Sequence, residues 1–148
     1  MKRFASYGFA ALLLAGFASA ESKLKVEDLP VSVQKTIKEQ TQNAKLVGLS
    51  KEKEGGKTEY ELETMVNGKS RDLMIDSDGA ILTVEDEVAL DSIPTAAKKA
   101  IQEKIDGGKL TKVETVTKGS EVSYEAAYTS KSGKKAEYGV NADGTPHK

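Results

Sequence analysis

The 148-residue chain contains no cysteine and no tryptophan, and only three phenylalanines, three prolines and one histidine. Each scarcity removes a class of chemistry. Without cysteine there are no disulfides, thiolate nucleophiles or thiolate metal sites. The lone histidine, His147, stands one residue from the C-terminus, so no histidine pair, catalytic triad or two-histidine zinc site can be assembled. Long basic blocks are missing, the formal net charge is −1, and aromatics are not interleaved with Lys or Arg, which argues against nucleic acid as a partner. A two-carboxylate glycosidase remains compatible with the composition, but so short and aliphatic a chain offers little room for a deep cleft. The composition therefore reads as non-enzymatic, with no cofactor and no resident metal.

At the N-terminus, Lys2-Arg3 precede an apolar, small-residue run from Phe4 to Phe17, and Ala18-Ser19-Ala20 supplies a small-x-small pattern before the charged Glu21. Residues 1–20 read as a signal peptide cleaved after Ala20, with periplasmic or secreted destination. A spanning helix needs about 20 apolar residues, and this run is interrupted by Ser6, Tyr7 and Gly8. No cysteine follows the cleavage point to carry a lipid, so no membrane anchor is expected after cleavage. The leader takes all three phenylalanines, two of the 22 basic residues and none of the 23 acidic ones. What remains is mildly acidic, and its core must be built from Val, Leu, Ile and Ala.

The rest of the chain states one pattern twice. Leu29-Pro30 returns as Ile93-Pro94, Lys45-Leu46 as Lys109-Leu110 and Tyr60-Glu61 as Tyr124-Glu125, each at an offset of 64. After one inserted residue, Asp78-Gly79 returns as Asp143-Gly144. In each copy a proline opens a helical pattern, where its missing N–H is not needed. Val33 and Ile37 mark an apolar face over about residues 31–42, and Ala97, Ala100, Ile101 and Ile105 mark one over about 95–105. Period-two runs follow, separated by Gly55-Gly56, Asn67-Gly68, Gly119-Ser120 and Ser132-Gly133, the residues of tight hairpins. The expected fold is α+β: two tandem repeats, residues 26–88 and 89–145, each an N-terminal helix packed on an antiparallel sheet of three or four strands. Residues 146–148 read as a flexible tail.

Two-residue turns at Gly55-Gly56 and Asn67-Gly68 set the register by counting. Leu49 then faces Leu62, Leu62 faces Leu73 and Tyr60 faces Ile75 on the core side. The equivalent count pairs Val113 with Ala126 and Thr115 with Tyr124. The same register sends Glu59, Glu61 and Glu63 to the opposite side, with Asp72 facing Glu63 and Asp76 facing Glu59. Glu52 also faces Glu59, and Glu114 faces Glu125. Directly opposed like charges cost a few tenths of a kcal/mol per pair, so this face is either a solvated strand face relieved by nearby lysines or a surface awaiting a cation or a basic partner. Asp76-Ser77-Asp78-Gly79 resembles the start of a calcium loop, but its fifth and sixth positions are Ala80 and Ile81, where an EF-hand needs an oxygen ligand and a glycine. It reads as a turn in which Asp accepts backbone hydrogen bonds.

With Leu-Pro before a helix, Lys-Leu opening a strand, Tyr-Glu in a central strand and then the Asp-Gly turn, all given twice after a leader, the chain resembles the PepSY-like family of beta-lactamase-inhibitor-like periplasmic proteins. The resemblance spans about Val26 to Thr145. It implies a secreted bacterial α+β protein that binds through the sheet face opposite its helices and has no established catalytic activity. The expected function is binding, with inhibition or modulation as its effect, of a cell-envelope protein or peptide with a basic surface. The expected contact residues are Glu59, Glu61, Glu63, Asp72, Met74 and Asp76, Met74 being a central apolar contact among the carboxylates. The alternative is an envelope protein that holds calcium-type cations on the same acidic strand face. The sequence leaves open the partner, the oligomeric state and whether the two half-sheets join.

Overall fold

A computed structural model of the chain describes residues 24–147; the expected leader, residues 1–20, lies outside the described residues. Pro30 and Pro94 each sit immediately before a helix, at φ −53° in both cases, and start α1 (Val31–Gln40) and α2 (Thr95–Ile105) without a side-chain cap. A single 3-10 turn leads into each, Val26–Asp28 and Leu90–Ser92. Thr41 closes α1, its N–H and its hydroxyl both donating to the Ile37 carbonyl. α2 ends on Asp106 and Gly107, both left-handed, with φ 41° and 75°, a conformation that glycine adopts without a Cβ penalty and that Asp tolerates.

The strands are β1 (Lys45–Glu54), β2 (Lys57–Val66), β3 (Lys69–Asp76), β4 (Ile81–Glu87), β5 (Lys109–Lys118), β6 (Glu121–Thr129) and β7 (Lys135–Asn141). They form one antiparallel sheet of seven strands in sequence order. This corrects the expected architecture: the molecule is not two tandem helix-plus-sheet repeats, because β4 pairs with β5 from Val84↔Thr117 to Glu87↔Glu114. The physical reason is the edge. Two separate sheets would each leave a row of unpaired N–H and C=O groups on β4 and on β5, and pairing them satisfies both rows.

Within the hairpins the counted register holds: Leu49↔Leu62, Leu62↔Leu73, Tyr60↔Ile75, Val113↔Ala126 and Thr115↔Tyr124. The apolar residues of this set share one side of the sheet, and both helices pack there. Leu29, Val33 and Ile37 meet Tyr60, Leu62, Leu73 and Ile75 in one cluster. Ile93, Ala97 and Ile101 meet Val113, Ala126 and Val140 in a second. Burying each large aliphatic contributes about 1.5–3 kcal/mol, and with no disulfide available these two clusters supply the main stabilisation. Tyr60 is a core residue, not a surface aromatic.

The Asp76–Gly79 turn fastens α1 to the sheet. Ser32 Oγ donates to Ser77 O at 3.0 Å, and Thr36 Oγ1 donates to Gly79 O at 2.7 Å. Gly79 has φ +85°, and a Cβ there would lie 2.7 Å from the Ser32 carbonyl oxygen. Gly144 stands in the same relation to α2, 2.9 Å from Ala96 O. At the C-terminus Pro146 bridges to Val140, and the His147 N–H donates to Gly139 O at 2.9 Å.

Candidate functional site: the helix-free face of the sheet

With both helices on one side, the other side of the sheet carries the alternate residues of every strand. Its rows follow from the register. Glu63 on β2, Asp72 on β3 and Glu85 on β4 stand directly opposite one another. One step along, Glu87 on β4, Glu114 on β5 and Glu125 on β6 do the same. Glu61 stands opposite Met74, which stands opposite Thr83. The two acidic rows are neighbours, so carboxylates run obliquely across the middle of the sheet. They cross the β4–β5 seam.

The structure brings Glu61, Glu63, Asp72 and Met74 together on this face. Glu59 and Asp76 lie directly opposite each other at the far end of the same two strands. One Asp76 oxygen, Oδ1, accepts the N–H groups of Asp78 and Ala80, both at 2.9 Å, which commits it to the turn. Met74 is central but only 6 % exposed. It floors a shallow depression lined by Glu61, Asp72, Thr83 and Glu85 and does not project from it. Sequence reasoning passed over Glu85, Glu87 and Lys112 as members of the site, and it recorded Glu114 and Glu125 without linking them to β3. The signal that was available was the like-charge pair Glu114–Glu125 beside an acidic β4. What placed them together was the seam.

The charges here are costly to hold. Glu85 is 7 % exposed and Glu114 4 %. Burial, reinforced by Glu114, Glu125 and Asp72, pushes the Glu85 carboxyl up to about 8. Burial, with Glu137 and Glu114, pushes Glu125 up to about 7. Asp72 and Glu61 are also raised, again chiefly by burial. Lys112 supplies a positive charge among these rows. Its Nζ lies 2.6 Å from Glu114 Oε1 and 3.9 Å from Asp72 Oδ2. Burial pulls its ammonium down, but the Glu114 hydrogen bond and the surrounding carboxylates outweigh this and hold it above the ordinary lysine range. Ser70 Oγ donates to Glu114 at 3.3 Å, and Ser50 Oγ donates to Glu61 at 3.1 Å. Among the described residues the face has neither a deep cleft nor a nucleophile–base pair; what it presents is rows of carboxyl groups on a rigid floor.

No protein-family model and no curated protein matches the chain, so membership of the PepSY-like family is not shown. Solved structures do resemble it. A protein of Bacteroides eggerthii, provisionally described as periplasmic, superposes with a TM-score of 0.64 at 17 % identity, covering 81 % of this chain and 86 % of that one. A DUF2874 family protein of Bacteroides ovatus gives 0.59 at 17 % identity, covering 81 % and 85 %. A BLIP-like protein of Bacteroides fragilis gives 0.53 at 18 % identity, covering 78 % and 80 %. At such identities the likeness is one of fold.

Proposed function

We propose that this chain is a non-enzymatic binding protein of the bacterial cell envelope that docks a basic surface of an envelope protein against the helix-free face of its sheet, and so inhibits or modulates that protein. The observation that carries this reading is the paired rows Glu63–Asp72–Glu85 and Glu87–Glu114–Glu125. Opposed carboxylates on a sheet cost about 0.2–1 kcal/mol a pair, and nothing in the fold requires them, since the core lies on the other side. A partner bearing Lys or Arg would relieve them on contact, giving fast, salt-sensitive association.

Two further points support it. Residues 1–20 have the pattern of an export signal, and one structural relative is provisionally described as periplasmic. Another is named BLIP-like, which agrees with the inhibitor-like resemblance of the sequence. The test is capture from an envelope extract by the wild-type chain and by a Glu61→Lys/Glu63→Lys variant, at low and at physiological salt. The reading expects a partner retained by the wild type, lost with salt and lost on charge reversal. Equal capture by both proteins overturns the assignment of the face.

A further inference from the structure

The two outer strands of the sheet are β1 and β7, and only one of them is covered. Along β7, Val140 bridges to Pro146, and Gly139 O accepts the His147 N–H at 2.9 Å. Among the described residues no backbone group pairs with the outer edge of β1. An open edge is a template for a further strand.

The internal repeat shows what such an edge accepts. β1 pairs with β2 as β5 pairs with β6, residue for residue at the offset of 64. Leu49↔Leu62 matches Val113↔Ala126, Lys51↔Tyr60 matches Thr115↔Tyr124, and the bulges at Val47 and Thr111 coincide. On β5 the outer edge carries β4, antiparallel, with Val84↔Thr117, Glu85↔Val116 and Asp86↔Thr115, and the Val88 N–H donates to Val113 O at 2.9 Å. The same stretch of β1 is Lys53, Glu52 and Lys51, and among the described residues it carries no strand. Because Val113 O points to β4, the alternation of antiparallel bonds aims the N–H and C=O groups of the matching Leu49, and of Lys51 and Lys53, away from β2. Where β5 offers neutral Thr117, Val116 and Thr115, β1 offers three exposed charges. Lys51 and Lys53, opposite Tyr60 and Thr58, lie on the helix side, and Glu52, opposite Glu59, lies on the helix-free side.

These charges choose the occupant. Pairing β1 with β1 of a second copy, in a register centred on Lys51, Glu52 or Lys53, sets like against like, since opposed residues share a face. The covered β7 of a second copy offers no free edge at Gly139 and Val140. We propose that β1 takes up an extended segment of a partner polypeptide as an eighth, antiparallel strand, with acidic residues opposite Lys51 and Lys53 and a basic residue between them opposite Glu52. Main-chain hydrogen bonds hold such a strand, and the alternating charges select it. The site is separate from the docking face, because it uses the backbone edge of β1 and not the acidic rows.

Hydrogen exchange of the purified chain, followed by NMR with either of two synthetic peptides at millimolar concentration, tests the proposal. One peptide, Val-Thr-Glu-Lys-Glu-Thr-Val, sets strand-forming residues around the complementary charges; the other, Val-Thr-Lys-Glu-Lys-Thr-Val, inverts them. In the free chain the amides of Leu49, Lys51 and Lys53 exchange faster than those of Ser50 and Glu52. The first peptide slows those three amides at least about fivefold, and the inverted one leaves them unchanged. In a Lys51→Glu/Glu52→Lys/Lys53→Glu variant the preference reverses. Should that variant fail to fold, the two peptides on the wild type decide alone. Equal effects of both peptides, or protection by neither, overturn the proposal. So do Leu49, Lys51 and Lys53 amides already slow before peptide is added, which would mean that this chain or a second copy takes the edge. The Glu61→Lys/Glu63→Lys variant, which tests face docking, keeps the protection; its loss there places the peptide on the acidic rows and overturns the edge site.

Discussion

Replacing Glu85 by glutamine should remove most of a pH dependence that runs opposite to ordinary acid denaturation. In the folded chain burial raises the Glu85 carboxyl from an ordinary 4.5 to about 8. Between those values the folded state keeps a proton that the unfolded state has released, so folding takes up a proton and stability falls as pH rises. The contribution is complete below about pH 4.5 and gone above about pH 8. One proton corresponds to about 1.4 kcal/mol per pH unit, hence about 2–3 kcal/mol between pH 5.5 and 7.5. Glu125, raised to about 7 by burial and by Glu137 and Glu114, adds a slope of the same sign up to about pH 7. With a urea m-value of about 1–3 kcal/mol/M, the midpoint should drop by about 1–2 M across that interval. The assay is urea unfolding followed by far-UV circular dichroism, in chelator so that no divalent ion contributes. Glu85→Gln, neutral at every pH, should lose one proton's worth of slope and exceed the wild type in stability at pH 8. A wild type that gains stability from pH 5.5 to 7.5, or a variant with an unchanged slope, refutes the burial of this charge.

The core and the turns make their own predictions. Leu62→Ala, at a position with no exposure in the cluster under α1, should cost about 2–5 kcal/mol in the same unfolding assay, and a cost under about 1 kcal/mol would contradict the packing. Gly79→Ala places a Cβ 2.7 Å from Ser32 O at φ +85°, whereas Gly119→Ala, at φ +61°, meets nothing within 4 Å. Both changes carry the left-handed penalty of about 1 kcal/mol or more, so Gly79→Ala should be clearly the more damaging of the two by thermal melting. Equal costs would deny the docking of the turn on α1.

Much of this arrangement was legible because two-residue hairpins transmit register. Gly55-Gly56 and Asn67-Gly68 tie β1, β2 and β3 together with no residue to spare, so Tyr60 and Leu62 could be assigned to the core and Glu61 and Glu63 to the other face by counting. Pro30 and Pro94 marked the helix starts in the same way. The β3–β4 hairpin breaks that arithmetic. Ile75 pairs with Ile81 but Met74 pairs with Thr83, leaving Leu82 as an extra residue. An unbroken count would place Val84 opposite Asp72 and turn Glu85 toward the helices, since a one-residue slip inverts every side chain. The pairing of β4 with β5 was beyond counting altogether. Its two strands are separated in sequence by α2, and no turn residue reports their register. The expectation of two tandem helix-plus-sheet repeats, with the joining of their sheets left open, and the omission of Glu85 and Lys112 from the site both trace to that seam.

The most direct test of the whole account is therefore an NMR measurement of interstrand proton contacts across β4 and β5. The account predicts contacts for Glu85 with Val116, Asp86 with Thr115 and Glu87 with Glu114, all within one monomer. Amides of β4 and β5 that exchange freely as two open edges, with no contacts between them, would separate the acidic rows and contradict the docking face built on them.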